Sequence, residues 1–227
     1  MTTTLITGAN KGLGYETARR LLDAGHDVWM GSRDAGRGEE AARRLGGRFV
    51  RLDVTDDASV AAAVATVGDL DVLVNNAGIA GGLVPVAEAT AADLRRLYET
   101  NVFGVVRVTH AVLPLLEKSD NPVIVNVSSG LGSLSRATDP AAMESAYRSL
   151  TYGSSKAALN MLTVQYAKAF PAIRINCVDP GYTATDLNGF RGTQSIPEGA
   201  EIIVRMALLG PDGPTGGYFD RAGSVPW

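Results

Sequence analysis

The segment Thr3-Thr4-Leu5-Ile6-Thr7-Gly8-Ala9-Asn10-Lys11-Gly12-Leu13-Gly14 decides how the rest of the chain is read. Its first five residues are apolar or β-branched and read as a strand. The glycines that follow let the backbone turn sharply and approach a bound group closely. A helical pattern opens at Gly12 and runs to Ala24, with Gly25 as its stop. A strand, a glycine turn and a helix N-terminus together make an anion cradle, because free N–H groups and the positive helix end converge there. The spacing is Gly-x-x-x-Gly-x-Gly rather than Gly-x-Gly-x-x-Gly, and its place after an N-terminal strand lifts it above an ordinary turn.

The same alternation continues outward from this unit. Further strands are predicted at Asp27–Gly31, Arg48–Leu52, Asp71–Asn75, Pro122–Ser128, Ile173–Asp179 and Gly217–Phe219. Most are Val/Ile/Leu-rich without polar alternation, the mark of parallel strands covered on both faces. Helices are predicted at Ala35–Leu45, Ala58–Thr66, Ala91–Lys118, Tyr152–Phe170 and Pro197–Leu208. The expected fold is α/β: a doubly wound, mainly parallel seven-stranded sheet of the Rossmann type, in one dinucleotide-binding and catalytic domain over residues 1–227. Ligands in such folds bind at the carboxyl ends of the strands. Two segments resist the pattern, Gly130–Ser149 and Tyr182–Ile196, and both begin at that edge.

Composition narrows the class. Hydrophobic residues make up 45% and charged residues 20%, enough for a sizeable core. A net charge of −3 with no evident basic face argues against a nucleic-acid partner, the run Arg43-Arg44 with Arg48 and Arg51 reading as a solvated face. No stretch of about 18 apolar residues exists, so no membrane span is expected. The first strand begins too early to leave room for a signal or transit peptide. The lone Cys177 permits no intrachain disulfide, so the cytoplasm is the expected compartment. His26 and His110 stand far apart without a cysteine or carboxylate cluster, and no metal site is expected.

The end of the second strand speaks to the choice of cofactor. Where an NAD site places an acid for the ribose 2′-OH, this chain has Ser32, followed by Arg33. A guanidinium clamps a 2′-phosphate with two charge-assisted hydrogen bonds, and Lys11 adds a second cation. The expected cofactor is therefore NADP(H). Asp53, followed by Val54, reads either as an acceptor for the adenine amino group or as a helix cap.

Chemistry-bearing residues then follow at successive strand ends. Asn75-Asn76-Ala77-Gly78 closes the fourth strand, and Ser128-Ser129-Gly130 closes the fifth. Tyr152-Gly153-Ser154-Ser155-Lys156 opens a helix with the phenol and the ammonium on one face. A phenol of pKa about 10 is a poor base at neutral pH, and a nearby ammonium stabilises its phenolate. A serine hydroxyl beside it holds a carbonyl oxygen.

With these residues in place the chain resembles the short-chain dehydrogenase/reductase superfamily over essentially its full length. Thr7-Gly8-x-x-x-Gly12-x-Gly14, Asn75-Asn76-Ala77-Gly78, Asn101, Ser129, Tyr152, Lys156 and Pro180-Gly181-x-x-x-Thr185 stand in family order. The resemblance implies a catalytic tetrad of Asn101, Ser129, Tyr152 and Lys156. In it Tyr152 is the acid in reduction and the base in oxidation. Lys156 lowers the tyrosine pKa and holds the nicotinamide ribose, Ser129 polarises the carbonyl, and Asn101 helps hold a relay water. Between Ser128 and Ser129, the family pattern selects the second. The cofactor contacts so implied or read are Gly8, Asn10, Lys11, Gly12, Leu13, Gly14, Arg33, Asp53, Val54, Asn76, Ala77, Gly78, Tyr152, Lys156, Pro180 and Gly181, with Thr183 or Thr185 on the carboxamide.

Within the superfamily the chain looks most like the carbonyl-reductase group, through Val178-Asp179-Pro180-Gly181-Tyr182, Pro197-Glu198-Gly199-Ala200-Glu201 and the tail from Gly213 to Trp227. Ser129 and Tyr152 stand 23 residues apart, where many members use about a dozen, and the extra residues resemble the insertion of monomeric carbonyl reductases. Both a monomer and a homo-oligomer stay open. The expected activity is NADPH-dependent reduction of a ketone or aldehyde, or the reverse alcohol oxidation. Two other readings use the same residues: a cofactor-binding sensor or scaffold without turnover, and an NADH-preferring dehydrogenase.

Overall fold

A computed structural model describes residues 1–82 and 84–227. Its strands are β1 (Thr3–Thr7), β2 (Asp27–Ser32), β3 (Arg48–Arg51), β4 (Val72–Asn75), β5 (Val123–Val127), β6 (Arg174–Val178), β7 (Tyr218–Asp220) and β8 (Gly223–Ser224). They form one sheet in the order β3-β2-β1-β4-β5-β6-β7-β8. The first seven pair in parallel, in the places the sequence indicates. The eighth is an addition: β7 turns back through Arg221-Ala222 and pairs antiparallel with a two-residue strand too short to leave a hydrophobic pattern.

The α-helices among the described residues are α1 (Gly12–Asp23), α2 (Ala35–Leu45), α3 (Asp57–Val67), α4 (Ala91–Tyr98), α5 (Gly104–Leu116), α6 (Leu134–Thr138), α7 (Leu150–Ala169) and α8 (Ile196–Ala207). One face packs Ile6, Val74 and Val125 against Leu21 of α1, Ala41 of α2 and Ile203 of α8. The other packs Leu5, Leu73 and Ile124 against Val60 of α3, Val112 of α5 and Ala167 of α7. Covering both faces is what makes the strands continuously apolar.

The predicted helix Ala91–Lys118 is broken. Between α4 and α5 lies a π turn, Glu99–Phe103, in which the Gly104 N–H reaches back to the Glu99 carbonyl. The break places Asn101, 0% exposed, so that its side chain bonds a distant strand end rather than solvent. α7 begins two residues before the predicted start, at Leu150, with Ser149 accepting from the Gly153 N–H. The strand order reverses between β1 and β4, so their carboxyl ends, Thr7 and Asn75, flank the crevice at which such sheets bind ligands.

Candidate active site

The glycine turn is held open by its neighbours. Gly8 and Gly12 have φ of 65° and 58°, the left-handed region that suits glycine. Asn76 Nδ2 donates to the carbonyls of Thr7 (2.9 Å) and Gly8 (3.1 Å), while the N–H groups of Asn76 and Ala77 donate to Thr7 Oγ1. The amide of Asn76 is thus occupied in tying β4 to the turn. A Cβ on Gly14 would sit 2.6 Å from the Gly8 carbonyl, so the helix and turn close up only with glycine there. No side chain caps α1, whereas α2, α3, α4, α7 and α8 each carry a side-chain cap. The free N–H groups of α1 fit a phosphate.

Beside the turn lies a cleft of about 360 Å³ lined by Asn10, Lys11, Tyr15, Arg37 and Arg44 among others. The pair Arg43-Arg44 reads from sequence as a solvated face, yet Arg44 lines this cleft; a basic residue in the first turn of α2, four positions after Arg33, is the signal that finds Arg37. Arg33 is itself 78% exposed and only 4.0 Å from Asp53. Lys11 forms an ion pair with Asp186, joining the phosphate turn to the loop after β6. Asp53 accepts from the Thr55 N–H (3.0 Å) and Oγ1 (2.7 Å), while the cap of α3 is Asp56, so the helix-cap reading of Asp53 does not hold. Val54 is buried and packs against Gly104. Leu13 faces Gly199 of α8, which fastens α1 to the helix after the second irregular loop.

The two serines after β5 divide by burial. Ser128 is 3% exposed and donates to Asn160 Oδ1 at 2.5 Å. Ser129 is half-buried, its Oγ accepts from the Leu131 N–H at 3.3 Å, and its hydroxyl lies by the Tyr152 phenol, whose pKa it lowers. Of the two serines, Ser128 is committed to Asn160 and Ser129 is the one beside the phenol. Lys156 lies one turn along α7, with Nζ 5.7 Å from the Tyr152 ring centroid. Nζ donates to the Val127 carbonyl at 2.8 Å. A Cβ placed on Gly78 would lie 3.4 Å from Asn101 Oδ1 and 3.7 Å from Lys156 Nζ, so these three residues converge. Asn101 uses its side chain on backbone: Oδ1 accepts from the Ile79 N–H (2.9 Å), and Nδ2 donates to the Ile79 carbonyl (2.9 Å) and Ser155 Oγ (3.1 Å).

Electrostatics here departs from expectation. Burial pushes the Tyr152 phenol up to about 12; the Ser129 hydroxyl pulls it down and the Asp179 charge adds to the rise. Burial also brings the Lys156 ammonium down to about 8. The sequence suggests a tyrosine lowered by its lysine together with the oxidised nicotinamide ring; in this structure burial dominates both groups, raising the phenol and lowering the ammonium. After β6, Pro180 is buried and Gly181 adopts φ 73°. Thr183 Oγ1 donates to the Pro180 carbonyl at 3.1 Å, and the Thr185 N–H donates to Asn188 Oδ1 at 3.3 Å. Of the two threonines, Thr183 has its hydroxyl proton committed within the loop.

A doubly wound sheet with a glycine anion cradle and a Ser-Tyr-Lys cluster at one strand edge defines a dinucleotide-dependent α/β oxidoreductase. The chain belongs to the short chain dehydrogenase family, whose model matches residues 2–195. It is 36% identical to short-chain dehydrogenase/reductase 1 of Saponaria officinalis, over 98% of this chain and 95% of that protein. It is 32% identical to salutaridine reductase of Papaver bracteatum, over 95% of this chain and 93% of that one. Among solved structures, NADPH-bound carbonyl reductase from chicken fatty liver superposes with a TM-score of 0.87 at 27% identity, covering 100% of this chain and 99% of that one. Salutaridine reductase from Papaver somniferum superposes with a TM-score of 0.85 at 30% identity, covering 97% and 100%. Among the described residues no helix is long and apolar enough to cross a membrane, and no group of three or more metal-ligating side chains occurs.

Proposed function

We propose that this chain is an NADP(H)-dependent carbonyl reductase, reducing a ketone or aldehyde to an alcohol and catalysing the reverse oxidation, with cofactor binding and catalysis in one domain. The observation that carries the reading is the cluster of a phenol, a hydroxyl and a buried ammonium at the strand edge onto which the glycine turn opens. The relatives named as reductases, and the fold neighbour described as an NADPH-bound carbonyl reductase, support it. The single buried Cys177 and the small-molecule chemistry suit the cytoplasm.

When bound, the dinucleotide supplies the hydride. Gly8, Gly12, Leu13, Gly14 and the uncapped end of α1 would hold its pyrophosphate. Asn10, Lys11, Arg33 and Arg37 would surround the 2′-phosphate, with Asp53 and Val54 toward the adenine. Ala77, Gly78, Lys156, Pro180, Gly181 and Thr185 would lie along the nicotinamide side, with Asn76 and Thr183 fixing the loops that carry them. Ser129 polarises the carbonyl oxygen, and Tyr152 delivers a proton to the alkoxide as it forms. A phenol held near 12 keeps that proton through the neutral range, which suits an acid in the reducing direction. Asn101 positions Gly78, Ile79 and Ser155 around the ammonium rather than touching substrate.

Replacing Tyr152 with Phe removes the proton and leaves the ring. Reduction of a ketone panel, followed by NADPH absorbance, should fall about 10²–10⁴-fold in kcat while NADPH affinity stays near wild type. Wild-type turnover in Tyr152→Phe would remove Tyr152 from the reaction.

A further inference from the structure

Arg136 belongs to α6, inside the irregular stretch that separates Ser129 from Tyr152. Its Nη1 donates to Asp179 Oδ2 at 3.0 Å and to Glu144 Oε1 at 3.3 Å, and its Nη2 to Asp220 Oδ2 at 2.7 Å. One guanidinium therefore ties the insertion to the ends of β6 and β7. Among the described residues no other cation pairs with any of these three carboxylates.

Asp179 is the innermost member, 6% exposed. Its Oδ1 accepts from the Gly181 N–H at 2.9 Å, and burial raises its pKa while the Gly181 and Gly130 backbone N–H groups and Arg136 lower it. One buried charge thus holds the residue after Ser129 and the glycine that opens the loop after β6. The site has no slack: a Cβ on Gly130 would lie 2.9 Å from Asp179 Oδ2 and would collide with Glu144 Oε1. From the other side, Tyr218 Oη donates to the Ser129 carbonyl at 2.6 Å. The groups facing Asp179 are Arg136 from α6, Glu144 from the turn at Met143–Ala146, Tyr152 from α7, Tyr218 from β7 and Cys177 from its own strand.

We propose that Arg136 is a positioning residue for carbonyl reduction: by compensating the buried Asp179 carboxylate it fixes Ser129 against Tyr152 and limits the negative field on the phenol. This rests on the assignment of Tyr152 and Ser129 given above. A buried carboxylate needs both a charge partner and hydrogen bonds. Asp179 has the Gly181 N–H as a backbone donor, and Arg136 is its counter-charge. Asp179 already raises the phenol. Without the guanidinium, an ionised Asp179 would oppose the phenolate more strongly.

The test is the pH dependence of kcat for NADP⁺-dependent alcohol oxidation, which needs the phenolate and rises with its titration. In Arg136→Met the alkaline limb should move up by about half a pH unit or more, as loss of one unit charge several ångströms away requires. Ketone reduction at neutral pH should fall about 10-fold in kcat. Arg136→Lys, which keeps the charge but not the fork, should return the limb toward wild type. Asp220→Asn removes only an outer carboxylate and should move the limb down, so a poorly folded Met variant does not end the test. A limb unmoved in Arg136→Met, a Lys variant that behaves like Met, or an Asp220→Asn limb that stays or rises would overturn the proposal. An active Tyr152→Phe would instead overturn the assignment of the acid, which separates the two failures.

Discussion

Lys156 brings a charge into a place with little to solvate it. It is 5% exposed, and its Nζ has one backbone acceptor. Burial lowers its pKa from 10.5 to about 8, so below about pH 8 the folded protein carries a desolvated ammonium that the unfolded chain exposes to water. Between about 8 and 10.5 the unfolded chain binds more protons than the folded one, and this position's contribution to stability rises with pH. Lys156→Met should therefore be inactive but more stable than wild type at pH 7, by about 1–3 kcal/mol after loss of the Val127 hydrogen bond. The gain should shrink as pH rises from about 8 to 10.5. Urea unfolding at pH 7 and pH 10 measures it, and a variant less stable at pH 7 would show that the ammonium is adequately solvated. The residue types of the site were readable from sequence, because Tyr-x-x-x-Lys, the serine pair and the glycines stand at strand ends. The direction of the tyrosine shift was not, because burial of the phenol comes from tertiary packing that local spacing does not contain.

The π turn shows a similar limit in a helix. The run from Ala91 to Lys118 has a helical pattern throughout, and nothing in its local sequence marks the break. The cause lies with Ile79, more than twenty positions earlier, whose N–H and carbonyl both bond the Asn101 side chain. Leucine at 101 would fill the space and leave two backbone groups of Ile79 and the Ser155 hydroxyl without this partner. Each buried group so stranded costs about 1–3 kcal/mol. Asn101→Leu should lose about 2–4 kcal/mol in urea unfolding and most of its turnover, since Gly78 and Lys156 converge on the same amide. A variant within about 0.5 kcal/mol of wild type would show that Ile79 finds other partners. The stretch 130–149 was legible only as irregular and close to the ligand edge. Its α6 is capped by Ser133, and the Arg136 clamp reaches carboxylates just after β6 and in β7 whose pairing with Arg136 no local spacing announces.

Across the molecule, β1, the glycine turn and α1 stand where the opening residues indicate, and the parallel strand set follows, because continuous apolar runs between amphipathic helices admit few arrangements. Cofactor choice is a property of this whole crevice. Asn10, Lys11, Arg33 and Arg37 come from two strand–helix junctions, and their carboxylate neighbours Asp186, Asp53 and Asp34 are all exposed or half-buried enough to exchange partners. Ligand that binds only the folded state raises stability by about 2.7 kcal/mol at a free concentration about 100 times its Kd. NADPH should therefore raise the melting temperature more than NADH at equal concentration. Arg33→Ala should remove most of that difference, through an affinity loss for NADPH of about 10-fold or more. Equal shifts with the two cofactors in the unmutated protein would count against 2′-phosphate recognition.

The strand order also governs how the chain reaches this shape. β1 lies between β2 and β4, and its partner on the second side, Val72–Val74, follows it by some seventy residues. Until that segment is synthesised and docked, Leu5 and Ile6 have a bare edge and no closed core. A nascent chain halted before β4 therefore presents β1 with one edge unpaired, a ready template for another polypeptide. Productive assembly is a race between crossover closure and association with neighbours, the slow step that topologies built on distant pairings impose.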